Sequence, residues 1–146
     1  MFKGAMIRKG YQTPGNQSIP NNTATMATFQ HVDYDTDSFY NSLAPTRLTV
    51  PAGVSRVRLI GQAIFQRGNS AGFRQLVIKK NGQFFPGDPC VNVNANKDTT
   101  ADIVAVSPVL PVVEGDYFEF EVFHSDGAAL PLLASTGTFF AIEVVE

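Results

Sequence analysis

The stretch Tyr117-Phe118-Glu119-Phe120-Glu121-Val122-Phe123-His124 alternates from end to end. Phe118, Phe120 and Val122 fall on one side of an extended chain, and Tyr117, Glu119, Glu121 and Phe123 on the other. That is the period of a β-strand with one buried face. The turn Glu114-Gly115-Asp116 leads into it and Ser125–Gly127 leads out. The chain closes in the same way over Thr138–Val145, where Phe140, Ile142 and Val144 oppose Phe139, Ala141, Glu143 and Val145. In both stretches the second face is partly apolar too. A sandwich standing alone needs only one apolar face per strand, so the surplus predicts contact with another subunit, carried by Tyr117, Phe123 and Phe139.

The same habit runs back along the chain. Val54–Gln66 reads as the longest strand, with Val57, Leu59, Gly61, Ala63 and Phe65 on one face and Arg56, Arg58, Ile60, Gln62 and Ile64 on the other. Further strands are expected at Gly4–Lys9, Thr23–Val32, Arg47–Val50, Phe73–Lys80 and Thr99–Val106. Pro14-Gly15, Asn21-Asn22 and Pro51-Ala52-Gly53 mark turns, and Asn81-Gly82 is a hairpin signal. Asp33 to Pro45 and Gln83 to Asp98 read as loops. With 12 Gly and 9 Pro at short intervals, no helical window survives. The expectation is an all-β, two-sheet sandwich or jelly roll of about eight to ten antiparallel strands.

Composition narrows the function classes. The 146 residues fit one domain spanning 1–146, and 44% hydrophobic against 16% charged residues allows a real core. A net charge of −2 argues against a nucleic-acid partner. No apolar run reaches the roughly 18 residues of a membrane helix, so no membrane insertion is expected. Met1-Phe2-Lys3-Gly4 lacks the apolar stretch of a signal peptide. Cys90, the single cysteine, cannot form an internal disulfide.

Chemistry-bearing residues are scarce. Asp33, Asp35 and Asp37 alternate and form the sharpest polar cluster, a calcium candidate. An EF-hand loop needs Gly at its sixth position and an acid at its twelfth, where this chain has Ser38 and Ala44, so no metal requirement is expected. His31 and His124 lack further ligands at zinc spacing. Cys90 lies between Pro89 and Val91, with no helix start to activate it. No nucleophile elbow or phosphate-binding loop is present. Arg56, Arg58, Arg67, Arg74, Lys79 and Lys80 read as a solvated face or one paired with Glu119, Glu121 or Glu143. The expectation is no catalytic residue and no cofactor.

Several strings, taken in order, resemble one family: Gln17-Ser18-Ile19-Pro20-Asn21-Asn22-Thr23, Asp33-Tyr34-Asp35-Thr36-Asp37, Arg47-Leu48-Thr49-Val50-Pro51-Ala52-Gly53, Ile78-Lys79-Lys80-Asn81-Gly82, Glu114-Gly115-Asp116-Tyr117-Phe118 and Phe139-Phe140-Ala141-Ile142-Glu143-Val144. Together they are similar to the complement-1q/tumour-necrosis-factor-like jelly roll carried by bacteriophage and prophage virion proteins. The resemblance implies a Greek-key sandwich, a homotrimer and a role in binding or building rather than catalysis. It implies a trimer that decorates or cements a capsid, with the major capsid protein or another virion protein as partner. The alternative is the receptor-binding head of a fibre or spike that grips a host glycan or surface protein, for which Phe39-Tyr40 and Phe84-Phe85 are the candidate contacts. Either way the protein is expected on the virion surface after synthesis in the host cytoplasm. Residues 1–9 are read as a first strand or as a docking arm in which Phe2, Met6, Ile7 and Arg8 meet the partner.

Overall fold

Thirteen strands and no helix make up the computed structural model, which describes residues 1–10, 15–134 and 137–146. The strands are β1 (Gly4–Arg8), β2 (Gln17–Ile19), β3 (Thr25–Met26), β4 (His31–Asp35), β5 (Arg47–Thr49), β6 (Arg56–Phe65) and β7 (Gly72–Lys80). They continue with β8 (Cys90–Ala95), β9 (Ala101–Val106), β10 (Leu110–Pro111), β11 (Tyr117–His124), β12 (Leu130–Leu132) and β13 (Phe139–Val144). Every pairing is antiparallel. The first sheet runs β2-β12-β6-β13-β1-β4, with β9 and β10 also on β6. The second runs β3-β11-β7-β8, with β5 also on β11. Spatial neighbours are seldom neighbours in sequence, as in sandwiches built from crossover connections.

The inward faces are the ones the alternation marks. Phe118, Phe120 and Val122 of β11 and Leu76 and Ile78 of β7 meet Val57, Leu59, Ala63 and Phe65 of β6 and Phe140 and Ile142 of β13, all buried. Phe29, Phe120 and Phe140 form the centre. The Phe29 and Phe120 rings meet edge to face at 5.5 Å, and Phe120 and Phe140 at 5.8 Å. Each ring buried in this way contributes about 1.5–3 kcal/mol, with a further increment for the edge-to-face geometry. Gly61 makes the arrangement possible: a Cβ there would lie 2.9 Å from Phe120 Cε2.

Four expectations are corrected. Thr23–Val32 is not one strand. β3 pairs with β11 in the second sheet and β4 with β1 in the first, and between them residues 27–30 cross the sandwich, burying Ala27 and Phe29. Asp33 to Pro45 is not all loop, because β4 continues through Asp35. Gln83 to Asp98 contains β8, in which Val91, Val93 and Ala95 turn inward while Cys90, Asn92 and Asn94 stay exposed. Arg74 does not belong to a solvated face: its side chain and that of Asp126 are 0% exposed and pair at 3.1 Å. The Asn81-Gly82 turn forms as expected, with Lys80 and Gln83 exchanging backbone hydrogen bonds of 3.0 and 2.9 Å and positive φ at both central residues. Of the expected Pro14-Gly15 turn, Pro14 lies outside the described residues.

Lys9, just past β1, is buried without a carboxylate partner. Its Nζ donates to Gln17 Oε1 at 2.8 Å and to the Thr28 carbonyl at 2.6 Å, joining the end of β1 to β2 and to the crossing segment. Burial pushes its ammonium down to about 8 from an ordinary 10.5. Between those values the folded state holds fewer protons at Lys9 than the unfolded chain, so the unfolding free energy rises with pH across that window. Urea unfolding at pH 7.5, 8.5 and 9.5 should show this rise in the wild type and a flatter profile in Lys9→Met. An equal rise in the variant would assign the effect to other groups.

Candidate functional site

The two outer faces of the sandwich differ in kind. On the second sheet the charges are matched in place: Lys79 Nζ reaches Glu121 at 2.8 Å and Arg47 reaches Glu119 at 3.6 Å. Thr46 Oγ1 also donates to Glu119 at 2.6 Å. On this face Tyr117 lies under the Arg47 guanidinium at 3.8 Å and Phe123 stacks on Phe73 at 5.3 Å, while Phe73 and Phe84 stay exposed. The charges of this face are paired within one chain.

The outer face of the first sheet carries an apolar row. Register places Tyr34, Met6, Ala141, Ile60 and Val106 side by side across five strands. The adjacent row is His31, Arg8, Phe139, Gln62 and Val104. Tyr34, Val104 and Val106 are 38%, 50% and 55% exposed, while Met6, Ile60 and Phe139 are half-buried. Ion pairs rim the strip, Arg58–Glu143 at 3.6 Å and Arg56–Glu146 at 2.8 Å toward one end and Arg8–Asp33 toward the other. A contiguous apolar strip inside a charged rim has the anatomy of a protein contact surface.

No family model matches the sequence, and no curated protein does. Solved structures do match in shape. Murine APRIL superposes with a TM-score of 0.64 at 13% identity, over 99% of this chain and 100% of that one. The globular domain of zebrafish complement 1qA protein gives 0.56 at 12% identity, covering 100% and 98%. Eiger TNF from S. frugiperda gives 0.58 at 10%, covering 99% and 93%. The fold is the tumour-necrosis-factor/complement-1q jelly roll.

On this jelly roll the expected contact residues do not share a surface. Phe139 lies on the apolar strip, whereas Tyr117 and Phe123 lie on the outer face of the opposite sheet. Of the two readings of residues 1–9, the structure takes the first strand: Gly4–Arg8 is an inner strand of the first sheet, held between β13 and β4. Ile7 is buried in the core, and Arg8 is engaged with Asp33. Met6 lies on the strip, and Phe2 is 55% exposed with its ring edge-on to Tyr34 at 5.4 Å. Phe39 is buried, and Tyr40 donates its hydroxyl to the Phe29 carbonyl at 2.6 Å, so this pair is structural. Phe84 is exposed beneath Lys79, while Phe85 packs edge-on against Phe118. Val104, Val106 and Ile60 lie beside Phe139 on this face, and the apolar residues on both faces of β6 and β9 are the sequence signal for them.

The three aspartates diverge. β4 is bulged where it pairs with β1, so Asp33 and Asp35, two residues apart, leave the strand on different sides. Asp33 accepts from Arg8, and that hydrogen bond holds its carboxyl below the ordinary range. The two Asp35 oxygens accept the backbone N–H of Phe39 and of Tyr40, each at 2.9 Å. Asp37 accepts from Thr36 Oγ1 at 2.6 Å and lies 3.8 Å from Lys3. Among the described residues no three His, Cys, Asp or Glu side chains converge as metal ligands. His124 is buried, His31 lies 3.6 Å from Asp33, and Cys90 is exposed with Gln75 Nε2 at 3.7 Å.

Each carboxylate therefore acts as a structural acceptor. Chelation with EDTA should leave the melting temperature unchanged, a fall of many degrees being the contrary result. Asp33→Asn should cost about 2 kcal/mol, because it removes the carboxylate that accepts from the nearly buried Arg8. Asp37→Asn should cost less than about 0.5 kcal/mol. Urea unfolding measures both.

Proposed function

We propose that this protein is a non-enzymatic structural component of a bacteriophage virion, a homotrimer that decorates or cements the capsid surface. The observation that carries the reading is the apolar row Tyr34-Met6-Ala141-Ile60-Val106, exposed at its two ends and half-buried at Met6 and Ile60, set against a second sheet whose charges are paired within the chain. Packing the first sheet's outer face against further copies removes that strip from water. The likeness in shape to murine APRIL and complement 1qA supports a fold that works by contact. The virion role rests on the ordered strings that resemble phage jelly rolls, and the capsid is its proposed partner. Three copies on one trimer make weak individual contacts with a repetitive lattice sufficient through avidity.

Light scattering at micromolar concentration should give a mass about three times the 15.8 kDa chain. Ile60→Asp, a charge in the middle of the strip, should shift the mass to one chain with the β-sheet circular dichroism retained. Phe123→Asp, on the outer face of the second sheet, should leave the assembly intact. A monomeric wild type, or the reverse ranking of the two variants, would sink the reading. Purified protein should then bind particles lacking it at a fixed number of symmetric sites and raise their heat resistance. Binding to host cells instead, with infection blocked, would favour a receptor-binding head.

A further inference from the structure

His124 closes β11, its ring fully buried between the sheets. Nε2 lies 2.7 Å from the Ile19 carbonyl oxygen of β2. A carbonyl only accepts, so Nε2 carries a proton. Nδ1 lies 3.2 Å from the backbone nitrogen of Asp126, which donates its N–H, so Nδ1 is bare. Both ring positions are thus committed to the neutral Nε2–H tautomer.

The contact joins parts that the sheets themselves do not join. β2 belongs to the first sheet and β11 to the second, and the Asn22 N–H donates to the His124 carbonyl at 2.9 Å beside the ring. β2 pairs only with β12, which meets β6 at Leu132 opposite Phe65. On the other side of His124, the Asp126 carboxylate accepts the backbone N–H groups of Asn69 and Ser70 at 3.2 and 3.1 Å. One imidazole therefore holds β2, the turn Ser125–Gly127 and, through Asp126, residues 69–70 of the β6–β7 loop.

The charged groups around the ring are Arg74 from β7 and Asp126 from the turn, 3.1 Å apart, with the Asp126 carboxylate also in electrostatic reach of the His124 ring. β2 presents Gln17, Ser18 and Ile19, and β6 presents the Phe65 ring at 5.9 Å, none of them charged. A second proton can only go to Nδ1, where it would face the Asp126 N–H, donor against donor. A ring released into water is an ordinary imidazole, whose charge change falls between pH 5 and 8, so acid favours the released state over the bonded one.

We propose that His124 is an acid-operated latch between the two sheets: protonation at Nδ1 breaks the Asp126 N–H bond and releases the Ser125–Gly127 turn and β2 from the end of β11. The inference is independent of the virion reading, because it concerns one chain's own fold.

Long-range nitrogen–proton NMR of the wild-type imidazoles at pH 7.5 should show His124 protonated at Nε2 and bare at Nδ1. Hydrogen exchange, corrected for intrinsic rates, should show the amides of Asn22 and Gly127 opening at least about tenfold more at pH 5.0 than at pH 7.5. Amides of the β6–β13 ladder should not follow. His124→Gln keeps a donor for Ile19 without a titratable ring, and its opening should not change between the two pH values. If that variant does not fold, His124→Asn takes its place, and the wild-type readings stand without either. A ring protonated at Nδ1 at pH 7.5, unchanged wild-type opening, or an equal acid response in the variant would each overturn the proposal.

Discussion

The meeting of Phe29, Phe120 and Phe140 across the sandwich sets the direction of every other side chain. Successive residues of a strand point to opposite faces, so fixing Phe120 inward fixes Glu119 and Glu121 outward, and fixing Phe140 inward fixes Phe139 and Ala141 outward. Gly61 is part of the same constraint, because its missing side chain is the space in which the Phe120 ring sits. Phe29 reaches the centre from a crossing segment rather than a strand. That segment therefore ties β3 in one sheet to β4 in the other.

With the interior settled, the two outer faces had to be solved separately, and the chain solved them differently. On the second sheet, carboxylates and cations stand opposite each other in register, Glu119 with Lys79 as neighbours and Arg47 and Glu121 as their pairing partners. Partly buried pairs of this sort contribute modestly to folding but leave little to gain from covering them. The first sheet offers the apolar side chains Tyr34, Met6, Ile60 and Val106 across its outer face. The gain from covering that face comes from hydrophobic burial, which scales with area and carries little directional demand. Specificity then falls to the rim, where Arg58–Glu143 and Arg8–Asp33 mark the ends of the strip.

Long alternating strands were legible because period and composition agreed in them. β6, β11 and β13 show their inward faces in the sequence, since each carries three or more inward apolar residues in step, and β9 shows as a strand. β8 was missed because its outward positions are Cys90, Asn92 and Asn94, residues that favour turns, between Pro89 and a polar loop. β2, β3 and β12 are too short for any period to show. The buried Arg74–Asp126 pair was unreadable for another reason: its partners lie 52 residues apart, and only the fold brings them together. The apolar row on the first sheet was half legible. Phe139 was found from its own strand, but a surface is made of rows across strands, and rows depend on register. The spacing of the three aspartates assumes an unbroken pleat, which the bulge in β4 removes.

That bulge also decides how the molecule can be extended. β4 is the outermost strand of the first sheet, and a flat edge there would offer its free backbone groups to a strand of any other chain. The irregular pairing between β1 and β4 disrupts that template, and Asp33, Asp35 and Asp37 with Arg8 and Lys3 fill the edge with charge. Copies are therefore steered away from prolonging one another's sheets into an open fibril and toward meeting through side chains on a face, a geometry in which rotation about an axis can close the set.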